Sequence, residues 1–471
     1  MSKRFFNVVL VLTAMVLTAP AASARTVSAP GRAALTLVGE QRDGLTGAAV
    51  SGAGDVNGDG RADLIVGAPL ADVDGRTDAG AAYVVFGGCA TGTVELGGLG
   101  SCGFRIGGAV PLPGLTRHKG SNALTSGAGA VVAGAGDVNG DGLADIVVSG
   151  REAGLFGGAP TVVYVVFGKR DTAPVDLASL GDGGFVIRSG GDFVTVADGH
   201  AAGDVNGDGL ADVAVRTGID GDEDAGSLHV VFGRRDAVAV MVGPNGTAGT
   251  SFAVFGGFSG MQLGQSVAPA GDVNRDGFGD LLIGAPGVSS RRLSDERGAV
   301  FVLYGKATPG DTRIRPRERF GGYAVNGPRA LHGFGYSVDS LGGGGLIAGA
   351  PGAPSRGLHG RGGAWILPTR HARFRHIAGP REGGPAGVWV AVAGDVTGDR
   401  RRDVLVLARG RRNRAAGAWL YSLAARREIT YTGLRNATDA RISGAGPGDV
   451  VGNTRPDVIL GSPGAGRAYV L

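Results

Sequence analysis

The chain of 471 residues contains 92 Gly and 21 Pro, carries a formal net charge of +4, and is 43% hydrophobic and 19% charged. Gly and Pro together make up about 24% of the chain, near the level at which disorder is common, but the chain is too apolar to be disordered. Its short apolar runs exclude an all-helical protein and argue against alternating strands and helices, and two cysteines are too few for a disulfide scaffold or a cysteine zinc site.

The first residues are typical of a secretory signal peptide. A basic start is followed by an apolar stretch at residues 5–16 and by small residues at 22–24 that suit cleavage. The stretch is too short to span a bilayer comfortably. We therefore expect residues 1–24 to be removed, and the mature chain, residues 25–471, to be one secreted domain without a transmembrane anchor.

An acidic loop of nine residues recurs along the mature chain. Its full pattern, Asp-x-Asn-x-Asp-Gly-x-x-Asp, starts at Asp55, Asp137, Asp204 and Asp272. A weaker copy occupies residues 395–403, and a decayed copy occupies residues 449–457. Asp339 lies in phase with these starts but leads into four glycines. Seven units at intervals of 54 to 82 residues indicate a repeat architecture.

Each unit also carries four apolar runs typical of β-strands. One run precedes the acidic loop, as at 334–338, and a second follows it, as at 64–69. The third run is rich in β-branched and aromatic residues, as at 82–87, and the fourth is looser, as at 103–107. Four-stranded antiparallel units that repeat around an axis form the blades of a β-propeller.

The two ends of the mature chain are offset by one strand. The seventh unit stops at Leu471 without its fourth strand, and a strand of that type, residues 34–39, opens the mature chain. The sequence therefore predicts an all-β fold with seven four-stranded antiparallel blades. In this seven-bladed β-propeller the N-terminal strand completes the last blade and closes the ring.

The same motifs resemble a known family. Phe334-Gly335 ahead of the loop position, Gly67-Ala68-Pro69 after the next strand, and the loop pattern itself are similar to FG-GAP repeats. These repeats build the N-terminal propeller of integrin α subunits and related bacterial secreted proteins. The resemblance covers about residues 33–471, and it implies a propeller that acts as an adhesion or interaction module.

The acidic loops have the composition of calcium sites. Positions 1, 5 and 9 are carboxylates, position 3 is an amide, and position 7 offers a backbone carbonyl, which together are the hard oxygen ligands that Ca²⁺ prefers. Three carboxylates in one turn also repel one another when no cation is present. The alternative is an ordinary Asx/Gly turn without a metal.

We expect four Ca²⁺ sites, with the weaker copy as a fifth candidate for which a metal-free loop is an equal alternative, and no metal at residues 449–457. The predicted ligands are Asp55, Asn57, Asp59, Arg61 and Asp63; Asp137, Asn139, Asp141, Leu143 and Asp145; Asp204, Asn206, Asp208, Leu210 and Asp212; Asp272, Asn274, Asp276, Phe278 and Asp280; and Asp395, Asp399 and Asp403.

The remaining chemistry-bearing residues give weaker signals. Cys89 and Cys102 favour one local disulfide in an oxidising compartment, with two free thiols as the alternative. The histidines are scattered, and residues 257–260 lack the last glycine of a nucleophile elbow, so we predict no catalytic group. Residues 291–435 hold 24 Arg and one Lys against 10 acidic residues. This excess favours either a solvated basic rim or contact with an anionic polymer.

The predicted function is non-enzymatic. We expect a monomeric, secreted, calcium-binding propeller that presents loops to an extracellular protein, an anionic glycan or another cell-surface polymer. Nucleic acid is not expected as a partner, because basic residues interleaved with aromatic ones are absent. Two alternatives remain: a propeller that accompanies a hydrolase, as in glycosylphosphatidylinositol-specific phospholipase D, and a propeller that binds or cleaves polysaccharides.

Overall fold

The computed structural model is all-β. It describes residues 25–29, 31, 33–89, 91–110, 127–151, 161–189, 196–217, 225–243, 249–288, 297–308, 310–315, 318–328, 333–352, 362–368, 373–378, 386–408, 417–423, 428–432, 434 and 443–471. The helical segments of these residues are short 3₁₀ turns, at Arg42–Gly44, Leu96–Gly98, Gly100–Cys102, Leu177–Ser179, Gly181–Gly183 and Pro463–Ala465. The predicted signal peptide lies outside the described residues.

The regular structure of the described residues consists of strands and these short 3₁₀ turns. The first half of the chain contains β1 (Arg25–Ser28), β2 (Leu35–Val38), β3 (Ala49–Gly54), β4 (Asp63–Ala68), β5 (Ala81–Val85), β6 (Gly92–Glu95), β7 (Gly103–Gly107), β8 (Val132–Gly136), β9 (Asp145–Arg151), β10 (Thr161–Val166), β11 (Val175–Asp176), β12 (Gly184–Ser189), β13 (Val196–Gly203), β14 (Asp212–Thr217), β15 (Ser227–Val231) and β16 (Val240–Val242). The second half contains β17 (Ser251–Gly256), β18 (Ser266–Gly271), β19 (Asp280–Ala285), β20 (Ala299–Leu303), β21 (Thr312–Ile314), β22 (Gly322–Asn326), β23 (Ser337–Gly342), β24 (Gly345–Ala350), β25 (Gly363–Leu367), β26 (Arg375–Ala378), β27 (Ala386–Gly394), β28 (Asp403–Ala408), β29 (Gly417–Ser422), β30 (Glu428–Thr432), β31 (Ser443–Gly448), β32 (Asp457–Ser462) and β33 (Arg467–Val470).

These strands form seven small sheets, each built on four antiparallel strands, and the predicted seven-bladed propeller is confirmed. Blades 1 to 7 are β3-β4-β5-β7, β8-β9-β10-β12, β13-β14-β15-β17, β18-β19-β20-β22, β23-β24-β25-β26, β27-β28-β29-β30 and β31-β32-β33-β2. The first strands of successive blades contact one another in a closed cycle, in which β31 contacts β3. They are therefore the inner strands of the ring.

The core lies between neighbouring blades, which explains why the apolar runs are continuous. In β4, Leu64 and Val66 pack in a cluster with Ile459 of blade 7, whereas Ile65 packs in a cluster with Ile146 of blade 2. Because both faces of the sheet are covered, all six residues of β4 are buried. A strand with one face in water would alternate between apolar and polar residues instead.

Glycines allow neighbouring blades to approach closely. A Cβ atom on Gly284 would lie 2.1 Å from the carbonyl oxygen of Gly335 in the next blade. Since real Cβ atoms do not come this near to an oxygen, only Gly fits without a shift of the backbone. The same contact recurs between Gly67 and Gly129 and between Gly349 and Gly387.

Both ends of the described chain lie in blades 6 and 7. β2 pairs antiparallel with β33, with Leu35 opposite Val470 and Val38 opposite Arg467. It is the fourth strand of blade 7. β1 runs parallel to β30 in blade 6, so the segment around residues 25–38 contributes to two blades.

Five blades carry a fifth strand that the sequence analysis did not predict. β11, β16, β21, β1 and β6 lie parallel to the fourth strands of blades 1, 2, 3, 6 and 7. These strands are only two to four residues long. Such short strands leave too weak a pattern in the sequence to be recognised.

The strand predicted at 334–338 is shifted toward the C-terminus. β23 begins at Ser337, and Phe334 lies ahead of it, buried in the core between blades 4 and 5. Gly335 separates the two with a φ of 88°. This left-handed conformation interrupts an extended strand.

The in-phase placement of Asp339 is wrong. Gly342 pairs with Gly345 in blade 5 as Gly54 pairs with Asp63 in blade 1. Asp339 therefore lies inside β23, upstream of the loop position, and the acidic loop of blade 5 is replaced by a short glycine turn. The Asp339 carboxylate instead accepts the N–H of Val392 in blade 6 at 2.7 Å.

Candidate metal centre

The acidic loops connect the first and second strands of their blades. Loops 1, 2, 3, 4, 6 and 7 are residues 55–63, 137–145, 204–212, 272–280, 395–403 and 449–457. In loop 1, Asp55 Oδ1 accepts the N–H groups of Gly58 at 2.8 Å and Asp59 at 3.0 Å, and Oδ2 accepts that of Gly60 at 2.9 Å. Gly58 and Gly60 have φ values of 74° and 83°, which favour Gly. The carboxylate at position 1 thus organises the turn.

The side chains at positions 3 and 5 face each other. Asn57 Nδ2 donates to Asp59 Oδ2 at 3.1 Å, and Asn57 Oδ1 accepts the Asp59 N–H at 2.9 Å. The same N–H also donates to Asp55 Oδ1. The corresponding Asn–Asp contacts are 2.9, 2.8 and 2.7 Å long in loops 2, 3 and 4. The oxygens of positions 1, 3 and 5 are therefore gathered in one turn.

The aspartate at position 9 is placed differently from the other two. Asp63 is fully buried, its Oδ2 accepts the N–H of Val56 at 2.8 Å, and its Oδ1 accepts that of Gly87 at 2.8 Å. Asp145, Asp212 and Asp280 make the same pair of contacts. This residue anchors the loop to the end of the third strand. Its role as a fifth metal ligand stays a prediction.

Burial controls the ionisation of these anchors. Desolvation raises the pKa of Asp63 to about 6 and the pKa values of Asp145 and Asp212 to about 7, against the opposing effect of the backbone N–H groups. The carboxylates at positions 1 and 5 contribute to these raised values by repulsion in loops 1 and 3. The poorly solvated carboxylate of each full loop is thus the one at position 9, whereas the aspartates at position 5 are exposed.

Consecutive loops are linked to each other. The Ala144 N–H of loop 2 donates to the Asp55 carbonyl of loop 1 at 2.9 Å. The side chain of Leu143 packs over Gly58, because a Cβ there would lie 2.8 Å from Leu143 Cδ2. Loops 3 and 4 make the same two contacts with the loops before them. The N–H groups of Ala211 and Gly279 donate to the carbonyls at position 1, and the side chains of Leu210 and Phe278 pack over the glycines at position 4. The side chain at position 7 therefore packs between loops, while its carbonyl is the predicted ligand.

The donor set of the four full loops fits a hard cation. Asp55, Asn57 and Asp59 supply oxygen donors at alternating positions, and the Arg61 carbonyl is the predicted fourth donor. Among the described residues, no three His, Cys, Asp or Glu side chains converge as a complete metal centre. The turn itself holds two carboxylates and one amide, and Asp63 accepts two N–H groups at the end of the loop. An amide oxygen is a suitable Ca²⁺ ligand all the same.

Loops 6 and 7 keep the backbone turn but lose parts of the donor set. In loop 6 the Thr397 hydroxyl donates to Asp403 at 3.2 Å, and the Ser422 hydroxyl donates to Asp399. Arg400 adopts a φ of 64° at a position where the full loops have Gly. In loop 7, Val451 replaces the amide at position 3. The turn can therefore form without a full ligand set.

The other predicted features are placed as follows. Cys89 and Cys102 form a disulfide, with their Cα atoms 5.3 Å apart. Arg313, Arg315 and Arg319 are exposed, as are residues 400–402, whereas residues 317, 411 and 412 lie outside the described chain. In the part of the chain that the structure describes, no helix is long and apolar enough to cross a membrane.

Comparison with known proteins shows similarity to FG-GAP repeats and to integrin α subunits. A family model described as the FG-GAP repeat matches residues 46–85 and 263–303, which contain loops 1 and 4. Integrin alpha-PS5 of Drosophila melanogaster is 31% identical over 166 residues, which is 32% of this chain and 14% of that protein. Integrin alpha pat-2 of Caenorhabditis elegans is 28% identical over 211 residues, which is 43% of this chain and 16% of that protein. The chain thus matches about one seventh of the length of these relatives.

Proposed function

We propose that this chain, an FG-GAP repeat protein with an integrin α-like propeller, is a secreted calcium-binding module that recognises an extracellular protein or a glycan. The similarity to integrin α subunits supports a role in interaction. The four full loops, with their gathered oxygens, support calcium binding. The signal-like start of the sequence supports secretion.

One observation carries the interaction proposal: the ring encloses a cavity of about 610 Å³ that an exposed tryptophan lines. The volume falls within the range of ligand sites. Trp389 is 42% exposed, although large apolar side chains of this fold are otherwise mostly buried. Gln265 and Tyr336 directly precede inner strands, and Trp389 lies in the first half of β27, opposite Leu407 near the end of β28. An aromatic face beside polar groups suits a sugar ring or a peptide side chain.

The end of the cavity that Gln265, Tyr336 and Trp389 line lies away from the acidic loops. Each inner strand runs toward the acidic loop or, in blade 5, the glycine turn that follows it, so residues near the start of β23 and β27 lie at the opposite end of the channel from residues 272–280 and 395–403. The metal sites therefore brace the blades, and the partner binds on the other face. Loss of calcium acts on binding only through the stability of the fold.

Calorimetric titration of the metal-stripped protein tests the metal part of this proposal. We expect four or five Ca²⁺ sites with dissociation constants of about 10⁻⁴–10⁻³ M, as in other extracellular modules. Mg²⁺ should compete poorly, because it requires a compact octahedral set of ligands. Two sites or fewer would contradict the assignment of loops 1 to 4.

Binding to a glycan array and to intact cell surfaces tests the interaction part. Trp389→Ala should abolish binding of the calcium-loaded protein, because it removes the aromatic face of the cavity. Val238→Ala is the matched control, since Val238 is 62% exposed but does not line the cavity. Equal loss in both variants, or hydrolysis of a phospholipid or polysaccharide substrate by the wild-type protein, would overturn the proposal.

A further inference from the structure

Blades 4 and 5 differ from the other blades in the outermost strand that the described residues provide. In blades 1, 2, 3, 6 and 7 a parallel fifth strand covers the fourth strand. In blades 4 and 5, β22 and β26 are the outermost strands that the described chain provides. An outermost strand presents a row of backbone N–H and C=O groups that a further strand can pair with.

The described residues provide no fifth strand where the connection in the following blade is short. In blades 1 to 4 the connection between the third and fourth strands is residues 86–102, 167–183, 232–250 and 304–321, and each contributes the fifth strand of the preceding blade. The corresponding connections of blades 5 and 6 are only residues 368–374 and 423–427. They contain seven and five residues, against 17 to 19 in blades 1 to 4.

The two outer edges are exposed as this predicts. In β22 only Val325 is buried, and in β26 only Ile377 is buried. In β7, which a fifth strand covers, all residues are buried except Arg105, which is partly exposed. The Gly327 N–H donates inward to the Gly298 carbonyl at 3.0 Å. Because N–H directions alternate along a strand, the preceding N–H points outward.

The five existing fifth strands share one register. One position of each fifth strand lies opposite the same position of the fourth strand, which is Ile106 in β7. In blades 1, 2, 3, 6 and 7 this fifth-strand residue is Val175, Val240, Thr312, Val27 and Val94. All five are β-branched. In blades 1 and 7 the next residue is acidic, Asp176 or Glu95. By their pairing with β20 and β25, Val325 and Ile377 are the equivalents of Ile106 in the open blades.

The open edges lie in the basic part of the chain. Arg319 precedes β22, Arg373 precedes β26, and Arg375 lies in β26, and all three are exposed. Like charges discourage pairing between two copies of this chain and favour an acidic strand. We propose that β22 and β26 bind an extended segment of a partner protein as a parallel fifth strand, with a β-branched residue opposite Val325 or Ile377 followed by an acidic residue.

The probe is a peptide with the sequence of residues 91–98 of this chain, Thr-Gly-Thr-Val-Glu-Leu-Gly-Gly, which contains β6. Binding is measured by titration, and its location by hydrogen exchange of backbone amides on the full chain. We expect slower exchange at Asn326 and Ala378. A control peptide with Pro and Lys in place of the Val and Glu should bind about ten-fold more weakly or not at all, because Pro removes a ladder N–H.

Variants of the protein give an independent test. Arg373→Glu together with Arg375→Glu should weaken peptide binding about five-fold or more at low salt, whereas Arg42→Glu, a charge reversal at an exposed site near blade 7, should not. The melting temperature of each variant shows that it is folded. The proposal is overturned if slowed exchange maps outside β22 and β26, if the control peptide binds equally well, or if no binding is found. Trp389→Ala should leave peptide binding intact, so this test is separate from that of the cavity.

Discussion

Replacing Asp145 by Ala should destabilise the propeller whether or not calcium is present, because this carboxylate holds two parts of blade 2 together. Asp145 is fully buried, its Oδ2 accepts the Val138 N–H at 2.7 Å, and its Oδ1 accepts the Gly168 N–H at 2.8 Å. Leaving a buried N–H without an acceptor costs about 1–3 kcal/mol. The free energy of unfolding should therefore fall by about 2–5 kcal/mol.

Asp141→Ala is the matched variant from the same loop. Asp141 is exposed and accepts only the Leu143 N–H and the Asn139 side-chain amide. Without calcium its removal should change stability by about 0.5 kcal/mol or less, as for most surface positions. With calcium the loss should reach about 1–3 kcal/mol, because the proposed site then lacks one of its carboxylate ligands.

Thermal unfolding at neutral pH, with excess calcium and with a chelator, measures both effects. The entropy of unfolding is about 2.1 cal/mol/K per residue, so for a domain of this length 1 kcal/mol corresponds to about 1 °C in Tm if the ring unfolds as one unit. Asp145→Ala should lower the Tm by about 2–5 °C in both conditions, and Asp141→Ala only with calcium. An equal response of the two variants in both conditions would refute the distinction between anchor and ligand.

Three further predictions concern the fold. Deletion of residues 34–39 should lower the Tm and promote self-association, because β33 loses its outer neighbour; an unchanged, monomeric protein would show that this strand does not stabilise the ring. Gly284→Ala should lower the free energy of unfolding by about 1–3 kcal/mol, because the added Cβ clashes with the Gly335 carbonyl. Gly310→Ala should be neutral in the same denaturant titration, since Gly310 is exposed and a Cβ added there meets no atom within 4 Å. Burial lowers the pKa of His229 to about 4. The neutral side chain is therefore fully accommodated above its ordinary pKa, and the free energy of unfolding should fall by about 3 kcal/mol as the pH falls from about 6.5 to 4. His229→Leu should abolish this loss in pH-dependent unfolding.

The sequence predicted the architecture well because each blade repeats the same strong signals. The acidic loop starting at Asp55 marks the end of an inner strand, and the Gly67 turn marks the end of the next one. Both recur often enough to fix the number of blades. The runs after the loops are apolar throughout, since they are covered on both faces, and the observed strands at Asp63–Ala68 and Ala81–Val85 differ from the predicted runs by one or two residues.

What the sequence did not predict depends on contacts between distant residues. The anchoring role of Asp63 depends on the Gly87 N–H, which lies in another turn of the blade. A fifth strand such as β11 has only two residues and gains its structure from β7 of another blade. Trp389 stands in an apolar run, and only the ring geometry shows that it lines the cavity. Local patterns carry none of this information.

The pairing of Leu35 with Val470 has a consequence for how the protein is made. β2 cannot pair with β33 until residues 467–470 have been synthesised. During that interval Leu35 and Leu37, which are buried in the finished fold, lack the part of their core cluster that Ile459, Ala468 and Val470 supply. Contacts between residues so far apart form late. The last blade can therefore be completed only after β33 has been synthesised, and an interruption of synthesis before that point leaves one face of β2 accessible to chaperones and proteases.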